Sequence, residues 1–194
     1  MTTIGALLLF AVTAVTGPSV PLRGDVVWTA DAQSSVRLSV SRLLSAKVTG
    51  AIPIESATVV TTESGDRAPL SVNATLDASR LDTHDSQRDA QLRGAQFFDV
   101  ARFPTITFAS ERVTATGPGT FGIDGELTMR GVTHNLRLDG RFAGLHTDAD
   151  GKQYARYEAT GSFRRTDYGM TYAPIIVGNN VQLNVDIEAV RPSS

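Results

Sequence analysis

The stretch "VQLNVDIEAV" near the end of the chain places Val181, Leu183, Val185 and Ile187 on one side of an extended backbone, and Gln182, Asn184, Asp186 and Glu188 on the other. A repeat of two suits a strand with one dry and one wet face. Such strands belong to antiparallel sheets, because strands buried on both faces read as continuous apolar runs. The same alternation groups Val36, Leu38 and Val40 in "SSVRLSVS", and Leu70, Val72, Ala74 and Leu76 in "LSVNATLDA". It also groups Phe121, Ile123, Leu127 and Met129 in "TFGIDGELTM". About eight such stretches, joined by short turns rich in Gly and Asp, predict an all-β domain. No repeat or linker divides the chain, so residues 25–191 are expected to form one domain. A sheet of this size either splits into a sandwich or closes into a barrel, and periodicity admits both.

One junction predicts a pairing register. In "GELTMRGVTHNLRL", a turn at Arg130-Gly131 would set Met129 against Val132, Leu127 against His134 and Gly125 against Leu136. The apolar positions of both arms then share a side, which a slip of one residue would destroy.

"RDAQLRGAQFFDVARFPTITF" interrupts the alternation. Ser86 and Asp89 have the spacing of a helix cap, "QRDAQLR" suits about two helical turns, and Gly94 stands where a left-handed residue would end them. Pro104 keeps Phe103 extended and restarts a strand. So short and charged a helix needs anchoring, for which Leu92, Phe97, Phe98 and Phe103 are the candidates. Lying across one end of a closed sheet, it would be either a plug in the core or a lid over a cavity.

Composition removes several function classes. A net charge of −2 with interspersed signs gives no basic footprint for nucleic acid or an anionic membrane, and a chain without cysteine has no disulfide, thiolate metal site or Cys nucleophile. His84, Asp85 and Ser86 are adjacent, which a triad cannot use without a strained fold, and Ser86 serves better as a cap. His84, His134 and His146 lack metal-ligand spacing, so no metal and no catalytic residue is expected. His134 lies close enough to its turn to sit at a rim. Arg164, Arg165 and Asp167 are expected on solvated faces or fixing the loop before Gly169, while Arg88 and Asp89 are the candidates to orient a ligand head group. Inward-facing Ala74, Gly125, Gly140, Ala159 and Gly161 are expected to leave volume unfilled.

Residues 4–15, "IGALLLFAVTAV", have the length of a signal-peptide core and are too short for an ordinary membrane span, but no Lys or Arg precedes them. Residues 1–24 are therefore read as an export signal or an N-terminal tail. Two locations stay open: secreted, periplasmic or cell envelope on the first reading, cytoplasmic on the second.

Three blocks, "RLDTHDSQRDAQLRGAQFFDVARFPTITFAS", "GELTMRGVTHNLRL" and "GSFRRTDYGM", resemble in order and spacing the signature blocks of YceI-like proteins. The resemblance runs from about Trp28 to Val190. It departs in the first third, where the family's "HS-x-V-x-F" strand and "G-x-F" element read "QSSVRL" and "GAIPI". The resemblance implies an eight-stranded antiparallel lipocalin-like barrel with one or two short helical insertions within residues 86–98. It also implies non-catalytic binding, transport or storage of an apolar isoprenoid, a polyisoprenoid or quinone-type lipid, with no other cofactor. The expected lumen residues are Val36, Leu38, Val72, Leu76, Phe98, Ile106, Phe108, Phe121, Ile123, Leu127, Met129, Leu136, Leu138, Leu183 and Val185. The alternative is an interaction module with a filled barrel. Transient membrane contact and a homodimer are compatible with either reading.

Overall fold

The computed structural model describes residues 24–42, 46–62 and 68–191. The expected export signal lies outside the described residues, apart from Gly24. The strands are β1 (Asp25–Ala30), β2 (Ser35–Arg42), β3 (Ala46–Thr62), β4 (Pro69–Asp77), β5 (Thr105–Gly117), β6 (Thr120–Met129), β7 (Val132–Thr147), β8 (Gln153–Arg164) and β9 (Val177–Val190). Every pairing between them is antiparallel.

Strands β2 to β9 form a closed ring of eight, consistent with a lipocalin-like barrel. β1 is a ninth strand without a place of its own. It pairs with the second half of β3 and the end of β9, while β2 pairs with the first half of β3 and the rest of β9. The two short strands thus share one position in the ring. β3 serves both because it turns a corner: Pro53, which has no N–H to donate, stands opposite Ser35 where β2 begins, and a bulge follows between Ile54 and Ser56.

The hairpin between β6 and β7 has the expected register, with Met129 opposite Val132, Leu127 opposite His134 and Gly125 opposite Leu136. Arg130 (φ 54°) and Gly131 (φ 72°) are both left-handed, the turn whose twist matches paired strands. The strain on Arg130 is offset because its Nη1 donates to the carbonyls of Ala95 (2.9 Å) and Phe97. One alternation fails: Leu70 is exposed, because the β3–β4 ladder slips between Val60 and Thr61 just beside it.

The insert forms a cap over one end of the barrel. A 3-10 turn (Ala78–Arg80) leads to helix α1 (Ser86–Arg93), and two of its boundary residues differ from expectation. The N-cap is Asp85, whose carboxylate accepts from Arg88 N at 3.0 Å; Ser86 is the first helical residue. Aspartate caps as well as serine does, and its charge also suits the positive helix terminus. Gly94 is extended (φ −71°, ψ 169°), and the left-handed residue comes later, at Asp99 (φ 51°). Glycine is still apt at 94, since a Cβ there would lie 3.1 Å from the Gln91 carbonyl oxygen.

Phe97, Phe98 and Leu81 are buried under the cap, whereas Leu92 and Phe103 are half-buried. Polar bonds complete the attachment. Buried Asp89 accepts from Thr83 N (2.9 Å) and Thr83 Oγ1 (2.6 Å), and Arg93 Nη2 donates to the Leu81 carbonyl (2.6 Å).

Away from the cap, aromatic rings pack the barrel interior. Phe121 meets Tyr157 edge-on with centroids 6.3 Å apart, Phe142 tilts against Tyr157 at 5.5 Å, and Trp28 Nε1 donates to Thr61 Oγ1 at 3.0 Å. The inward glycines do not leave the expected empty volume, because neighbouring side chains lie across them. A Cβ on Gly125 would come within 2.8 Å of Phe108, one on Gly161 within 2.6 Å of Leu138, and one on Gly140 would collide with Phe121. Close packing has converted each missing side chain into room for a neighbour.

Candidate functional site

At the capped end a cavity of about 530 Å³ opens between the barrel rim and the cap, and a smaller one of about 250 Å³ lies on β3, β4 and β5 beside Ala74 and Phe108. The larger falls within the range typical of small-molecule sites. β2 and β3 contribute Leu38, Val40 and Val48, and the cap contributes Leu81, Leu92, Phe97 and Phe98. The adjoining wall is Phe163, Met170, Tyr172, Ile176 and Val181, from the end of β8, the following turn and the start of β9.

Of the fifteen lumen residues expected from the sequence, Leu38 and Phe98 line this cavity. Val36, Leu76, Ile106, Phe108, Phe121, Ile123, Leu127, Met129, Leu136, Leu138 and Leu183 are buried in the continuous core, with Val72 and Val185 half-buried against it. Alternation identifies the inward face but carries no information about height along the barrel axis. Val40 and Val181 share the inward parity of Leu38 and Leu183 and stand opposite each other next to the cap. The strand ends adjoining the insert were the signal that would have found them.

The charged candidates are occupied structurally. Arg88 borders the cavity, but its Nε donates to Thr83 Oγ1 (2.8 Å), its Nη2 to the Thr83 carbonyl (2.9 Å), and its Nη1 lies 3.4 Å from Asp85. Asp89 is turned inward to Thr83. His134 is exposed, donating from Nε2 to the Asp167 carbonyl (3.0 Å), with its ring edge-on to Tyr168. Burial, reinforced by Asp167, pushes the Tyr168 phenol up to about 12.

Arg165 departs most from expectation. It is not on a solvated face but 3% exposed and lining the cavity, and the loop it fixes is the one after Gly169 rather than the one before it. Its Nε donates to the Gly178 carbonyl (2.9 Å), its Nη2 to Val177 (2.9 Å), and its Nη1 to Tyr172 (2.9 Å) and Met170. Among the described residues no carboxylate lies within ion-pair distance of it. Burial lowers its pKa from the ordinary arginine value. A planar donor fork suits this task of gathering carbonyls from both arms of one turn. The Arg165 guanidinium therefore shapes one wall of the cavity.

No helix among the described residues is long and apolar enough to cross a membrane. The YceI-like domain model matches residues 28–189. The chain is 37% identical over 123 residues to a UPF0312 protein of Enterobacter sp. (strain 638), and 33% identical over 120 residues to one of Yersinia pestis (strain Pestoides F). These alignments cover 63% and 62% of this chain, and 64% and 62% of the relatives, less than two thirds of their own length. In fold the chain is similar to BcnA of Burkholderia cenocepacia, with a TM-score of 0.71, 20% identity, and 82% and 98% of the two chains covered. It is also similar to a polyisoprenoid binding domain from Saccharophagus degradans implicated in plant cell wall breakdown, with a TM-score of 0.57, 13% identity, and coverage of 86% and 99%. With a closed antiparallel barrel, a capped cavity and a family match spanning nearly the whole described barrel, the chain belongs to the YceI-like family.

Proposed function

We infer that this protein binds the apolar chain of an isoprenoid lipid in the cavity beneath the cap, as a carrier or store and without catalysis. The observation that carries this reading is the cavity wall, built mainly of aliphatic and aromatic side chains from both rim and cap. The polyisoprenoid binding domain of similar fold supports the choice of ligand class. At about 0.8 kcal/mol per buried CH₂, one five-carbon unit contributes about 3–4 kcal/mol before the costs of binding. Chain length and shape therefore outweigh any single polar contact in selection. The reading assigns no reaction, because Arg88, Asp85 and Arg165 are committed to holding the cap and the turn.

Native mass spectrometry of protein purified from its own host, followed by solvent extraction, tests this. A co-purifying lipid with an isoprenoid fragmentation pattern is expected. Protein that yields no lipid and takes up no added long-chain isoprenol would overturn the reading. It would favour the alternative of an interaction module, which the ring-filled lower barrel also suits. The same proposal places the protein in the cell envelope, with residues 4–15 as the export signal. Envelope protein should then begin between about Val15 and Val26, and envelope protein that keeps Met1 would count against export.

A further inference from the structure

The turn joining β8 to β9 carries more exposed apolar surface than its packing requires. Ile175 is 90% exposed, Tyr172 43% and Ile176 41%. Three of the six large apolar side chains left exposed among the described residues thus fall within five consecutive positions. The other three are scattered singly, Leu70 on β4 and Val132 and Leu145 towards opposite ends of β7, as is normal for a soluble surface.

This turn has a fixed shape. Ala173 is left-handed (φ 50°) before Pro174, and its carbonyl accepts from Ile176 N (3.1 Å) and Val177 N (2.9 Å). At its base Arg165 holds carbonyls of the outgoing arm, Met170 and Tyr172, and of the returning arm, Val177 and Gly178. An apolar tip on a clamped base loses little conformational freedom when it is buried against a partner.

Its position points to the kind of partner. Tyr172, Ala173, Ile176 and Val177 also line the cavity, so the apolar wall continues from the interior to the exposed tip. Tyr172 meets Phe97 of the cap edge-on, with centroids 5.7 Å apart. The charged residues lining the cavity are Arg42, Arg88, Arg165 and Asp85; Arg88 is paired with Asp85 and Arg165 is buried on backbone carbonyls, which leaves Arg42 as the exposed cation. Arg42 stands directly opposite Val177 in the β2–β9 ladder, beside the exposed tip.

We propose that residues 172–176 form a membrane-docking prong, whose tip enters the boundary between head groups and acyl chains of a bilayer containing anionic phospholipid. Arg42 would meet a lipid phosphate, and the cavity mouth would come to rest on the bilayer surface. A few inserted apolar side chains with a nearby cation give reversible attachment, as a protein that shuttles requires. A bilayer fits better than a second copy of the chain, because apposing two identical mouths would bring their arginines together. The proposal does not depend on the ligand reading: protein stripped of lipid is expected to dock as well.

Flotation of lipid-stripped protein with vesicles of phosphatidylcholine, alone or mixed with phosphatidylglycerol, tests it. Wild-type protein should float with the mixed vesicles and be partly released by salt. Ile175→Asp should reduce the bound fraction about tenfold, since an aspartate is strongly disfavoured where an isoleucine is favoured. Ile175 supports no core packing, so the melting temperature should not change. Arg42→Glu should weaken binding to mixed vesicles more than to phosphatidylcholine alone. Absence of flotation with either vesicle, or equal flotation of wild type and Ile175→Asp, would overturn the proposal. So would a concentration-dependent dimer in light scattering that Ile175→Asp abolishes while no vesicle binds; that result would give the prong to a second copy. Lipid extraction, done without vesicles, reports on the cavity separately.

Discussion

The two ends of this barrel are crossed by many of the same strands but packed on opposite terms. Away from the cap, Phe121, Phe142 and Tyr157 interlock, and glycines in β6, β7 and β8 make room for Phe108, Phe121 and Leu138. At the capped end, the neighbouring strands β2 and β9 carry the paired residues Val40 and Val181, whose short side chains line the cavity, and a helical insert roofs it. Hollowness is therefore set by ring placement along the axis rather than by the number of small residues. A glycine covered by a neighbouring ring marks a filled level, whereas at the cavity the short Val40 and Val181 leave room that the rings of the wall line without filling.

The largest effect expected is at the filled end. Phe121→Ala should cost about 3–5 kcal/mol, because the ring is buried against Tyr157 and covers Gly140. Urea unfolding measures this, and a loss below about 1 kcal/mol would mean that the filled end relaxes as freely as a loop.

A matched pair of enlargements contrasts the ends directly. Leu136→Trp adds bulk where the core is closed and should cost about 1–3 kcal/mol, while Val40→Trp extends into the cavity. The second variant should melt near the wild-type temperature once both are lipid-free, yet retain less isoprenoid. Bound lipid must be removed first, since it raises apparent stability by mass action. Equal destabilisation by both substitutions would erase the distinction between the ends.

A smaller and local effect is expected at the roof. Replacing Phe97 and Phe98 together with Ser should speed amide exchange across residues 88–94 more than across residues 181–187 of β9. Uniform acceleration would make the two rings part of the global core instead.

The smallest effect is a pH dependence. Tyr168 has its phenol raised from 10.0 to about 12 by burial, so the folded state holds the proton more tightly than the unfolded state. Its contribution is complete below pH 10 and disappears as the pH rises through about 12. Tyr168→Phe should accordingly flatten the alkaline loss of stability in that window; a slope unchanged from wild type would assign it to other groups.

How much of this was legible beforehand depended on the range of the interaction responsible. The Arg130-Gly131 hairpin could be read because its register follows from parity and turn geometry within fourteen residues. The helix was legible, but its cap was displaced by one residue because Asp85 and Ser86 compete for the same role. The glycine volumes were misread because the rings that occupy them come from neighbouring strands, which no local pattern reveals. Arg165 was harder still. Its acceptors are backbone carbonyls, to which sequence gives no identity, and burial of a cation without a carboxylate runs against the usual expectation. The cavity wall was under-read for a third reason, since Met170, Tyr172 and Ile176 belong to a turn rather than to an alternating strand.

The shared position of β1 and β2 also bears on the order of events in folding. The ring is sealed by the first strands of the chain against its last, with Leu38 paired to Leu183 and Thr29 to Val190. Apart from β1 with β3, every other seam joins neighbours in sequence and can zip as soon as its two strands exist. Closure instead needs a loop of nearly the whole chain, the slow, non-local kind of contact. Until β9 is synthesised, β2 and β8 present unpaired edges, and a chain cut short of Val177 would retain both. Such an intermediate is an open sheet prone to pair with its neighbours. The barrel therefore acquires its protection against aggregation only with its last fourteen-residue strand.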